Sequence, residues 1–117
     1  MTDTKTAIKR VYEPYELKDG KRILIDRLWP RGLSKDKAKI DLWLKDIAPS
    51  TELRQWFDHD PAKWSEFQKR YKEELSANTA AVNELREQLK DGPATLVYGA
   101  KDEEHNDAVV LKAYLEK

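Results

Sequence analysis

The chain contains no cysteine, which excludes disulfides, thiolate metal sites and a cysteine nucleophile. That absence fits a reducing compartment. No apolar stretch approaches the roughly 20 residues that a membrane-spanning helix needs. Met1 to Arg10 carries charges without an apolar run, so it does not read as a signal peptide. A cytoplasmic protein with no membrane partner is expected. Net charge is also missing, because 22 basic residues balance 22 acidic ones. Nucleic-acid-binding proteins usually show a basic excess or stripe, so any anion site here must be local. None of the motifs GxGxxG, P-loop, GxSxG or HExxH occurs. The scarce serines, Ser34, Ser50, Ser65 and Ser76, lack the surroundings of an activated nucleophile. With only His59 and His105, a zinc site would need both histidines plus carboxylates. No metal and no cofactor is expected.

What is present suits one small globular body. At 117 residues the chain fits a single domain, 1–117, with about 1–6 as a flexible N-terminus. Hydrophobic residues make up 39%, enough for a modest core, and charged residues reach 38%, which predicts a well-solvated surface. Ala7 to Tyr12 reads as a first strand, ended by Pro14 and the Asp19-Gly20 turn signal. Arg22 to Leu28 is the clearest strand, and its run Ile23-Leu24-Ile25 predicts burial on both faces. Trp29-Pro30 stops it. Ile40 to Leu44 alternates like a half-buried strand, although a run this short also fits a helix.

Helices follow. Ser50 or Thr51 can cap one carrying Leu53, Trp56 and Phe57. Asp60-Pro61 opens another, whose buried face is predicted to hold Trp64, Phe67, Tyr71 and Leu75. A third spans about Thr79 to Leu89, and Gly92-Pro93 stops it. Ala94 to Tyr98 is a second apolar strand, and Asn106 can cap a last helix with Val110, Leu111, Tyr114 and Leu115 inside. Helices between strands predict an α/β fold with a mostly parallel central sheet and flanking helices. Strands 22–28 and 94–98 should be its central, parallel neighbours. The 12–21 connection is short for a parallel crossover, which leaves room for an antiparallel edge strand.

Two constellations carry candidate chemistry. Asp26, Arg27, Trp29, Pro30, Arg31 and Gly32 follow a buried strand, where open α/β sheets place ligands. The arginine fork suits phosphate or carboxylate, and Gly32 would let the backbone approach closely. The structural alternative is that Arg27 pairs with a carboxylate and Trp29 fills the core. Lys101, Asp102, His105 and Asn106 follow the other strand and open the last helix, whose N-terminus attracts anions. Glu103, Glu104 and Asp107 surround them, so a capped acidic helix start is the alternative there. His59, between Asp58 and Asp60, invites a general-base or metal reading, against which Asp60 has a capping role.

The string Arg22-Ile-Leu-Ile-Asp-Arg-Leu-Trp-Pro-Arg-Gly-Leu33 resembles the hallmark segment of the YeaO-like proteins, within the domain-of-unknown-function family numbered 488. Trp43 to Ser50, Leu53 to Phe57, and Leu96 to Asp102 leading to His105-Asn106 agree in order and spacing. The resemblance runs from about Lys9 to Leu115. It implies a compact α/β fold and bacterial or archaeal cytoplasmic residence, and it brings no established reaction. Some relatives carry a transcriptional-regulator label, but no helix-turn-helix or basic recognition helix is visible here. Similar proteins often have a second histidine at the last helix start, where this chain has Asn106-Asp107-Ala108. Chemistry that needs that histidine does not carry over.

The leading expectation is a site for an anionic or phosphorylated small molecule at the C-terminal ends of the strands, with Arg27, Arg31, Lys101 and Asn106 as ligand-binding residues. Asp26, Asp102 and His59 are the candidate catalytic groups if the protein is an enzyme. The alternatives are a nucleic-acid-binding module using Arg27, Arg31 and the tryptophans, and a non-catalytic interaction protein. The oligomeric state is not legible.

Overall fold

The computed structural model describes residues 6–116. Most of the N-terminal stretch expected to be flexible lies outside them, while Thr6 is described and buried. Four strands form one sheet: β1 (Ala7–Arg10), β2 (Lys21–Leu24), β3 (Leu42–Trp43) and β4 (Ala94–Tyr98), in the order β1-β4-β2-β3. Every pairing is parallel, with Ile23 opposite Leu96 and Ile8 on the other side of Leu96. The expected central pair is therefore present.

Among the described residues no strand is antiparallel. The short connection is accommodated because β1 pairs with β4, so residues 11–20 cross one strand to reach β2. About ten residues reach up to roughly 33 Å, enough for that return without a full helix. The connection ends in a 3-10 turn, Leu17–Asp19, followed by Gly20 at φ 63°. A Cβ at Gly20 would collide with the Pro93 carbonyl, so only glycine fits where this turn meets the start of β4.

The helices are α1 (Lys35–Ala38), α2 (Thr51–Phe57), α3 (Trp64–Ala77), α4 (Thr79–Leu89) and α5 (Asp107–Leu115). The one-turn α1 has no counterpart in the expected order. Ser50 caps α2 by accepting from the Leu53 N–H, and Glu74 of α3 fixes that serine, accepting from its N–H at 2.8 Å and its Oγ at 2.6 Å. Asn106 caps α5 as expected, accepting from the Val109 N–H at 3.0 Å. Asp60 caps a 3-10 turn, Pro61–Lys63, that leads into α3.

Strand alternation sorts the core onto two faces. Ile23, Ile25, Leu96 and Tyr98 face Phe57, Phe67, Tyr71, Leu75, Leu85 and Leu111 of the helix layer. Leu24 and Val97 face a smaller cluster with Val11, Ala38, Trp29 and Trp43. Arg22 lies fully buried. Its guanidinium donates to the carbonyls of Ala38 and Val11 and to Asp19 at 3.0 Å. Trp64 is only partly buried, unlike Phe67, Tyr71 and Leu75, because it is the first residue of α3 and lies where that helix meets the cleft side of the protein.

Candidate functional site

Parallel pairing puts the C-terminal ends of β2 and β4 at one edge of the sheet. β2 is shorter than 22–28. After Ile25 donates to the Val97 carbonyl, the chain bends away through Asp26, Arg27 and Leu28. Two tryptophans hold this bend. Trp43 donates its indole N–H to the Asp26 carbonyl at 2.7 Å, and Trp29 donates to the Leu33 carbonyl at 2.7 Å. Their rings meet edge-on at 5.5 Å. Gly32 has φ 75° with open space where a Cβ would sit, so it serves a left-handed turn rather than a close backbone approach.

The bend and the β4 end bound a cleft of about 340 Å³. Arg27 and Arg31 line it from the bend, Arg54 and Phe57 from α2, Phe67 from α3, and His105, Asn106 and Asp107 from the start of α5. Among the described residues, none of the three arginines is engaged in an ion pair. Arg27 donates to the carbonyls of Pro49 and Ala48, each at 3.4 Å, so it braces that turn without losing its charge. Arg31 is exposed, and its carbonyl accepts from the Tyr12 hydroxyl at 2.9 Å.

Lys101 does not join them. It is exposed and outside the cleft lining, because the chain leaving β4 presents Gly99 and Ala100 to the cleft and turns Lys101 outward. Arg10 pins that path by donating to the Ala100 carbonyl at 2.8 Å. Asn106 does line the cleft, but its amide is committed at both ends, to the Val109 N–H and to the Asp102 carbonyl at 2.9 Å.

Asp102 also stands back from the cleft. Its Oδ1 accepts from the N–H groups of Glu104 and His105, at 2.9 and 3.0 Å. Its Oδ2 lies 2.8 Å from Nδ1 of His105. The Glu104 N–H, then the His105 ring, hold this carboxyl below the usual range. Asp102 is thus a fixed support for His105, whose ring also meets Trp64 edge-on at 5.1 Å. His59 lines the cleft from an exposed position. It follows Asp58 as a second left-handed residue, with φ 56° after φ 47°. Both histidines therefore reach one cleft, but among the described residues no group of three or more metal-ligating side chains comes together.

Asp26 has a partner that the sequence reading passed over. Its Oδ2 accepts from the Gly99 N–H at 2.8 Å, and its carboxylate meets Asp107 at the first position of α5. Burial pushes the Asp107 carboxyl well above the usual range, and the adjoining Asp26 charge and hydrogen bond add to this. The free N–H groups of the helix start offset only part of the effect. Asp107 therefore holds its proton more strongly than an ordinary carboxyl where it adjoins Asp26. Asp107 looked like one more acid suited to a helix dipole. The signal was its place directly after the Asn106 cap, on a helix that starts beside the strand ends. Arg54 and Phe57 were similarly visible as neighbours three apart on α2.

The chain matches, over residues 5–117, the family model described as the inactive DUF488-N3 subclade. It is 41% identical over 113 residues to an uncharacterised protein of Mycobacterium tuberculosis, covering 97% of this chain and 95% of that one. It is 44% identical over 107 residues to the uncharacterised protein YeaO of Escherichia coli, covering 92% of this chain and 93% of that one. No solved structure matches it. With the hallmark segment forming the cleft bend and the match spanning nearly the whole chain, the protein belongs to the YeaO-like DUF488 family.

Proposed function

We propose that this protein binds an anionic, phosphorylated small molecule in the cleft at the C-terminal ends of β2 and β4. The observation that carries the reading is the set of three arginines, Arg27, Arg31 and Arg54, that line one cleft and lack an ion-pair partner among the described residues. The carboxylates nearest in sequence are engaged elsewhere: Asp26 with Gly99 and Asp107, and Asp102 with its own turn. A cleft of about 340 Å³ falls at the lower end of the range for small-molecule sites. The description of the matching subclade as inactive favours binding over turnover. We place the protein in the cytoplasm, in keeping with a cysteine-free chain in which no helix of the described residues is long and apolar enough to cross a membrane.

A thermal-shift screen of inorganic phosphate, pyrophosphate, sugar phosphates and nucleotides tests the reading. A ligand present at about 100 times its Kd should stabilise the fold by about 2.7 kcal/mol. Arg31→Ala and Arg54→Ala should reduce the shift without lowering the ligand-free melting temperature, since both side chains are exposed. No shift with any anion would end the proposal. The interaction-protein reading draws on Leu28, which is 60% exposed at the rim of the same cleft. A Leu28-dependent complex with another protein, in the absence of any anion effect, would favour it.

A further inference from the structure

The cleft is not uniformly cationic, and its second half restricts the ligand further. Arginines occupy the bend and α2, while Asp26 and Asp107 come together at the strand ends and the start of α5. A compact anion filling the whole cleft would meet the carboxylates, and a simple cation would meet the arginines. The complement of both is a molecule with an anionic head and a neutral, hydrogen-bonding body. We propose that the Asp26–Asp107 pair is a hydroxyl-reading subsite, so that the ligand is a phosphate monoester on a polyhydroxylated carrier such as a sugar. This rests on the anion-binding reading of the same cleft.

Three features support that chemistry. The pair comes from two separate elements, one after β2 and one opening α5. The Gly99 N–H fixes Asp26 through Oδ2 at 2.8 Å, so its carboxylate is held in one orientation at the cleft wall. Carboxylate oxygens accept from hydroxyl groups, so two carboxyls lining one cleft suit a ligand that carries several hydroxyls. Finally, Phe57 and Phe67 stack on each other at 4.2 Å behind the cleft, so the ring edges that reach its lining are apolar and suit the C–H groups of a carrier.

Calorimetric titration of the full chain, at neutral pH and fixed ionic strength, separates the possibilities. The probes are inorganic phosphate, n-pentyl phosphate, ribose 5-phosphate, adenosine monophosphate and phosphoethanolamine. Ribose 5-phosphate should bind about ten-fold or more tightly than pentyl phosphate, the gain expected from hydrogen bonds to a charged group. Asp107→Asn or Asp26→Asn should remove most of that advantage and leave inorganic phosphate binding little changed. Adenosine monophosphate against ribose 5-phosphate decides whether the carrier is a nucleoside or a free sugar. Equal binding of pentyl and ribose phosphates by the parent protein overturns the subsite even if neither variant folds. Tighter binding of phosphoethanolamine overturns it too, by showing that the pair reads an ammonium. In both cases, loss of binding in Arg54→Ala would leave the anion site standing. Failure of every phosphate to bind defeats both readings.

Discussion

A buried arginine decides more of this protein's stability than any exposed charge. Arg22 points from β2 to the thinner side of the sheet, the face that also buries Leu24 and Val97. Its charge is answered by Asp19, 4% exposed, which also takes Lys9 at 3.0 Å. Asp19→Ala should therefore cost about 3–5 kcal/mol in urea unfolding, because it leaves a buried cation without its partner. Burial alone would raise the Asp19 pKa, but the Glu16 N–H, Lys9 and Arg22 outweigh it and leave it lowered. The linkage sign follows: this contribution is present above the unfolded carboxyl value near 4 and is lost as pH falls through the lower folded value. Asp107 behaves oppositely. Its folded pKa is raised, so its contribution is complete below about pH 4 and is lost as pH rises through the folded value. Asp107→Asn should thus stabilise the protein at neutral pH, by about 1 kcal/mol, as when a functional compromise is relieved. The gain should vanish near pH 4, where the parent carboxyl is protonated as well. A gain over the parent no larger at neutral pH than at pH 4 would contradict the raised Asp107 pKa.

Among the elements, α3 ties the cleft to the core. Phe67 and Tyr71 are buried along one stripe, and Tyr71 donates to the Ile47 carbonyl at 2.7 Å. Phe67→Ala should cost about 3–5 kcal/mol in a chemical melt. Trp64→Ala should cost clearly less, since its ring is only partly buried. Tyr71→Phe should lose about 1–2 kcal/mol by leaving the Ile47 carbonyl unpaired. Equal costs for Trp64→Ala and Phe67→Ala would show that the helix is rotated from this placement. These elements were legible because their signals are local: β4 spans the ATLVY run, and caps at Ser50 and Asn106 open α2 and α5 as read. The end of β2 was not, because its bend depends on Trp43, which reaches Asp26 across 17 residues. The site was legible as a place more than as a set of side chains. Arg27 and Arg31 follow from the strand end, while Lys101 depends on how the chain leaves β4, and the Asp26–Asp107 contact needs two elements 81 positions apart, the difference of their residue numbers. No local pattern encodes such a meeting.

At the scale of the whole molecule, the parallel sheet gathers the ends of β2 and β4 at one edge, so cationic groups meet there although the chain is neutral. This distribution bears on the nucleic-acid alternative. A duplex surface demands several phosphate contacts spread along a face, each adding a salt-dependent increment. Here the arginines line one cleft, and they share it with Asp26 and Asp107. The tryptophans are not a stacking platform either. Trp29 and Trp43 hold the bend with their indole N–H groups, and Trp56 lies under the cations of Lys63 and Arg70 at 5.1 and 4.5 Å. Duplex DNA should therefore bind weakly and without sequence preference, with a dissociation constant of roughly 10⁻⁴–10⁻⁶ M or weaker at physiological salt. Arg31→Ala should change that residual affinity by no more than one phosphate contact's share, while abolishing much of the response to a small phosphorylated ligand. Fluorescence anisotropy with random and defined duplexes, over a range of salt, measures both the affinity and the number of contacts from the slope. Nanomolar, sequence-dependent binding with a steep slope would mean that a basic surface forms on contact with DNA. It would displace the small-molecule cleft as the reason for the arginines at the bend.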